Sequence, residues 1–160
     1  MINKNQKTFD IGSREILLTR EFDATHDLVF DAWTEPEKIG KWWGPKGFTT
    51  TTFEMDFQEG GVWRFIMHGP DGTDYPNRIV YTEIVKPERL VYEHGEAEDK
   101  PADFKVTAKF EDLGDSKTRL TMRTIFPTAE ARNNATEFGA IEGGNQTLER
   151  LTEYLAETSD

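Results

Sequence analysis

The hydrophobic period of this chain changes once, and the change restricts it to few architectures. From Phe53 to Thr124 apolar side chains recur every second residue; after Pro127 they recur at steps of three, four and seven. Period two belongs to strands with one buried face, and steps of three and four to one face of a helix. Phe53, Met55 and Phe57 alternate with Glu54 and Asp56. Beyond Glu59-Gly60-Gly61, the residues Trp63, Phe65 and Met67 share a face opposite Arg64. Arg78 to Val85 and Arg89 to His94 flank Lys86-Pro87-Glu88 as a further hairpin. Phe104, Val106, Ala108 and Phe110 alternate with Lys105, Thr107, Lys109 and Glu111, and Leu120, Met122 and Thr124 with Arg119, Thr121 and Arg123. This is the pattern of an antiparallel meander with one solvated face.

Before the meander, Ile16 to Phe22 reads as a first strand. A short helix follows, capped near Thr25 and carrying Leu28, Val29, Phe30, Ala32 and Trp33. Glu35-Pro36 ends it and starts a shorter one with Ile39, Trp42 and Trp43, which Gly44-Pro45 closes. The C-terminal period predicts one helix from Thr128 to about Glu157, with Phe138, Ile141, Leu148, Leu151 and Leu155 as its stripe. Gly144 takes the slot between Ile141 and Leu148, where glycine costs roughly 1 kcal/mol relative to alanine. Either helix and sheet approach closely there, or the missing side chain leaves room for something else. The expected fold is α+β: six to seven antiparallel strands wrapped around a long C-terminal helix, with two short helices after strand 1. Such a sheet encloses the helix incompletely, and the remaining space suits a small apolar ligand.

The 160 residues suffice for one domain, read here as residues 14 to 160, with the polar residues 1 to 13 as a flexible arm. Lys plus Arg is 19 against 30 Asp plus Glu, a net charge of -11. No cationic surplus exists to displace counterions from nucleic acid or to meet an anionic membrane. The N-terminal lysines precede no apolar run, so no signal peptide and a cytoplasmic location are expected. Cysteine is absent, which removes disulfides, thiolate catalysis and Cys-ligated zinc.

Little else in the chain carries chemistry. Ser13, Ser116 and Ser159 sit in no nucleophile elbow, and Gly60-Gly61 lacks the spacing of a phosphate loop. His26, His68 and His94 are far apart in sequence and form no metal-ligand pair, so neither metal nor cofactor is expected. Glu83 and His94 are the acid–base candidates. If Ile79 and Tyr81 face inward, a simple alternation takes Glu83 inward too, where desolvation would raise its pKa. The other register, the favoured one of the two, turns Val80, Thr82 and Ile84 inward and leaves Glu83 in water.

Five motifs carry a family resemblance. They are Trp42-Trp43-Gly44-Pro45 with Gly47-Phe48, Glu59-Gly60-Gly61-Val62-Trp63-Arg64, Met67-His68-Gly69-Pro70-Asp71-Gly72, Pro87-Glu88-Arg89-Leu90, and Glu142-Gly143-Gly144-Asn145-Gln146-Thr147-Leu148. In this order, over about residues 14 to 157, the chain resembles the single-domain prokaryotic homologues of the activator of heat-shock-protein-90 ATPase, in the START/SRPBCC superfamily. The resemblance implies the helix-grip fold and three functions. The first is binding of a small hydrophobic or aromatic molecule. The second is cyclase- or hydrolase-like catalysis in the same cavity, and the third is partnership with a chaperone.

Aromatic residues make up 12% of the chain, and most fall on the apolar sheet face or in the two short helices. They form either a solid core or a lining. As a lining, Trp43, Met55, Trp63, Phe65, Met67, Phe104 and Met122 would contact the ligand from one side. Phe138, Ile141 and Gly144 would do so from the helix, with Tyr81, Tyr92, Thr124 and Asn145 as polar groups to orient it.

Overall fold

A computed structural model describes residues 13–158; the expected arm, apart from Ser13, lies outside the described residues. Seven strands follow the period-two segments: β1 (Glu15–Phe22), β2 (Thr49–Met55), β3 (Val62–His68), β4 (Asp74–Val85), β5 (Arg89–Gly95), β6 (Phe104–Gly114) and β7 (Lys117–Ile125). They form one antiparallel sheet in the order β1-β7-β6-β5-β4-β3-β2. Strands β2 to β7 are thus a continuous meander, and β1 joins its far edge by pairing Ile16 with Thr124 and Leu18 with Met122.

The connection from β1 back to β2 crosses the apolar face as two helices, α1 (His26–Thr34) and α2 (Pro36–Ile39). The Thr25 hydroxyl accepts from the Leu28 amide and caps α1, while Pro36 opens α2 at a position whose N–H has no helical partner. Phe30, Trp33, Ile39 and Trp42 are all buried against the sheet. The Trp42 indole N–H donates to the Ala32 carbonyl at 3.1 Å, so its one polar atom is satisfied inside the core.

The expected single C-terminal helix is two: α3 (Ala129–Glu137) and α4 (Ala140–Thr158). Gly139, at φ +87°, adopts a left-handed conformation that side chains rarely accept, and the chain turns there. The break also corrects the expected stripe. Leu148, Leu151 and Leu155 are buried, but Phe138 is 91% exposed and Ile141 37% exposed.

Two β-bulges correct the simple alternation. In β2 the pairing shifts between Thr52 and Glu54, and Phe53, the extra residue, turns outward at 58% exposure. In β4 it shifts between Tyr81 and Glu83, with Thr82 the extra residue. Ile79 and Tyr81 are therefore inward, as is Ile84 beyond the bulge, while Glu83 points out. Neither uninterrupted register describes this strand.

Candidate functional site

One end of the apolar sheet face is filled by the α1–α2 rings; the other encloses a cavity of about 460 Å³. Its floor is built by strand alternation: Ile16 and Leu18 of β1, Tyr92 and His94 of β5, Phe104 and Val106 of β6, and Met122 and Thr124 of β7. Its roof is the corner between α3 and α4, where Ala135, Gly139, Ala140, Gly143 and Gly144 offer little side-chain volume. Trp43, Gly44, Pro45 and Met67 close the side toward the filled end.

Backbone chemistry holds that wall in place. The Arg150 guanidinium Nη1 donates to the carbonyls of Trp43, Gly44, Pro45 and Phe48 at 3.4, 3.0, 3.2 and 3.0 Å, and Nη2 reaches the Lys41 carbonyl at 3.4 Å. One cation thus gathers the carbonyls of a loop that leaves no regular ladder for them. Gly44 is needed within it, because its φ is +107° and an added Cβ would lie 3.2 Å from both Met67 Cε and Phe48 Cβ. The Lys46 amide donates to Gln146 Oε1 at 3.1 Å, tying the same loop to α4 a second time.

Gly144 serves the close approach of helix and sheet and also borders the cavity. An added Cβ would stand 2.5 Å from Leu18 Cδ1, so the Leu18 side chain occupies the space that the glycine leaves. At Gly143 the nearest atom, Pro45 Cγ, is 3.4 Å from such a Cβ, an ordinary contact.

The structure gathers Trp43, Met67, Phe104, Met122, Phe138 and Gly144 around the cavity, and places Tyr92, His94 and Thr124 with them. Phe138 stands at the rim. Trp63, Phe65 and Tyr81 are instead sealed in the filled end, and Met55 packs on that core: Trp63 stacks on Phe65 at 3.9 Å between centroids, and Phe57 meets Tyr81 edge-on at 4.9 Å. Ile141 and Asn145 lie on the next face of α4, in a shallow surface groove with Arg20 and Glu149. These six lie away from the cavity, and the difference is one of position. Sheet face and helix were assigned, but which end of the sheet the α1–α2 rings would fill was not. Leu18, Pro45 and Gly139 line the cavity as well, and Gly139, Ala140, Gly143 and Gly144 mark where the helical corner has little to pack with.

The two acid–base candidates separate. Glu83 sits on the outer face and accepts from Arg89 Nε and Nη2 at 3.0 and 3.2 Å. Those hydrogen bonds hold its carboxyl below the ordinary glutamate range, the opposite of a desolvated general acid. His94 lines the cavity, and desolvation pushes its imidazole down to about 4, so it is neutral at physiological pH. Among the described residues no cluster of His, Asp or Glu is placed to hold a metal ion, and no helix is long and apolar enough to cross a membrane.

A seven-stranded antiparallel sheet closed over a C-terminal helix, with two short helices after the first strand and a cavity between, defines the helix-grip class. Within that class, the chain belongs to the family described as Activator of Hsp90 ATPase homolog 1-like protein, whose model matches residues 23–156. Solved structures agree over nearly the whole chain. A protein from Nitrosomonas europaea is 25% identical, with a TM-score of 0.84, covering 92% of this chain and 97% of its own. One from Mycobacterium smegmatis is 26% identical at 0.84, covering 93% and 95%. One from Arthrobacter aurescens, solved by NMR, is 28% identical at 0.84, covering 94% and 91%. No curated protein matches the chain.

Proposed function

We propose that this protein binds a small, predominantly apolar molecule in the cavity between the sheet and the α3–α4 corner. One observation carries the reading: a space of about 460 Å³, walled mainly by Leu, Ile, Val, Met and aromatic side chains, remains in a fold whose other end is packed solid. Empty apolar space forfeits dispersion contacts on every wall, and an occupant of matching shape restores them. Stimulation of the Hsp90 ATPase is a separate reading that the family's description suggests. A direct ATPase assay tests it independently of the cavity.

Native mass spectrometry of the protein purified from its own host tests the binding reading. The expected result is a co-purifying small molecule on the wild-type chain and its loss from Gly144→Leu, whose side chain drives Leu18 into the cavity. A wild-type chain that carries nothing, or an adduct that Gly144→Leu retains, contradicts it.

A further inference from the structure

Hydrogen-bonding roles on the cavity floor restrict the chemistry of the occupant more tightly than its shape does. Asn77 Nδ2 donates to the Tyr75 carbonyl at 2.9 Å, and a carbonyl can only accept, so the amide nitrogen must face it. Asn77 Oδ1 is then the atom that meets His94 Nε2 at 2.7 Å. Because Oδ1 accepts, His94 carries its proton on Nε2 and keeps a lone pair on Nδ1.

That lone pair has no partner among the described residues, and neither do the hydroxyls of Tyr92 and Thr124. No side-chain nitrogen or oxygen among the described residues is both sealed and unpartnered, so these three groups keep accessible surface, and their residues all line the cavity. For Tyr92, only 2% exposed overall, the opening is the cavity itself. Of the other polar side chains on the lining, the Thr147 hydroxyl donates to the Gly143 carbonyl at 2.9 Å, and Trp33 and Trp43 carry indole N–H groups that can only donate. Among the described residues, no Asp, Glu, Lys or Arg lines the cavity.

Resting on the cavity-binding reading above, we propose that the occupant is an uncharged molecule with an apolar body and one hydroxyl, a phenol or an alcohol. Its O–H donates to His94 Nδ1, and its oxygen accepts from the hydroxyl of Tyr92 or Thr124. A carboxylate or phosphate would be buried with no counter-ion, and an ammonium with no carboxylate. A ketone, ester or ether would leave the acceptor-only Nδ1 facing another acceptor, and an unmade buried hydrogen bond costs more than a made one returns. Desolvation reinforces these roles, keeping the imidazole neutral and the Tyr92 phenol protonated.

Four probes that share one apolar body test the proposal by calorimetric titration: biphenyl, 4-hydroxybiphenyl, 4-methoxybiphenyl and biphenyl-4-carboxylate. The hydroxyl compound is expected to bind about tenfold tighter than the methoxy compound, the gain of one well-made hydrogen bond, with the carboxylate weakest. His94→Phe should bring the hydroxyl and methoxy compounds toward equal affinity. Tyr92→Phe, which keeps the ring, should narrow the difference and serves if the first variant does not fold. Equal binding of the hydroxyl and methoxy compounds to wild type, or a preference for the carboxylate, overturns the proposal while leaving cavity binding intact. Preference for the hydroxyl that survives both variants overturns the assigned partners. Failure of all four probes to bind overturns the cavity reading itself, and this inference with it.

Discussion

The two ends of this sheet carry similar strand chemistry and reach opposite outcomes. At one end, the α1–α2 segment presses Phe30, Trp33, Trp42 and Trp43 onto Trp63 and Phe65 of β3 and Phe110 of β6, and the rings meet edge-on at 5.0 to 5.8 Å. At the other end, Phe104, Val106 and Met122 offer an equally apolar floor, but the α3–α4 corner brings mainly glycines and alanines to meet it. The floor does not decide whether space remains; the cover does. Trp43 belongs to both ends, as part of the filled cluster and as the wall of the cavity.

Phe65 and Phe104 break or sharpen this contrast most strongly, because both are phenylalanines on the same sheet face. Phe65 is sealed, whereas Phe104 is half-buried and borders open volume. Phe65→Ala should cost about 3–5 kcal/mol of unfolding free energy, the usual cost of removing a core ring. Phe104→Ala should cost about half as much, since part of that ring already lacks neighbours. Urea denaturation measures both, and equal losses would mean that the cavity end is packed as tightly as the other.

Next is the clamp that divides the two ends. Arg150→Met should destabilise by about 2 kcal/mol, because several loop carbonyls lose a charged donor at once. Arg150→Lys should recover only part of this, since an ammonium cannot span the same fan of carbonyls. Full recovery by lysine would reduce the clamp to a point charge.

Acid probes the cavity floor. His94 is held at about 4 against an ordinary 6.5, so between those values the unfolded chain binds more protons than the folded one. Its contribution is therefore complete above pH 6.5 and is lost as pH falls toward 4. Asn77, Phe65 and Phe104 are its side-chain neighbours, and none is a carboxylate that would stabilise the imidazolium. Comparing wild type with His94→Gln across that window isolates the effect. The variant should lose less stability on acidification, and an identical profile would place the His94 ring in water.

Smallest are the paired glycines. Gly143→Ala should stabilise α4 by up to about 1 kcal/mol, the helix-propensity gain at a site with room for a methyl group. Gly144→Ala should leave stability nearly unchanged, because the same gain is offset by pushing Leu18 aside, and it should weaken probe binding as Leu18 enters the cavity. Thermal melts and the biphenyl titrations separate the two.

Much of the architecture was legible because periodicity is a local signal. All seven strands, both short helices and the one-faced apolar sheet follow from it, and the order of five motifs led to the family. What escaped is where one residue changes the parity of everything after it. The extra residues Phe53 and Thr82 each reverse inside and outside, so Tyr81 faces inward while Glu83 does not. Gly139 likewise ends one helix and starts another within a continuous apolar rhythm. The Arg150 clamp was unreadable for another reason. Its partners are main-chain carbonyls about a hundred positions away, and carbonyls leave no trace in the residue types.

Three methionines report on the two ends directly. Met67 and Met122 line the cavity, whereas Met55 packs on the filled core. With carbon-13-labelled methionine methyl groups followed by NMR as 4-hydroxybiphenyl is added, the account predicts large saturable shifts for Met67 and Met122 and a stationary Met55 signal. Shifts at Met55 equal to the other two, or saturable binding that moves neither Met67 nor Met122, would contradict it.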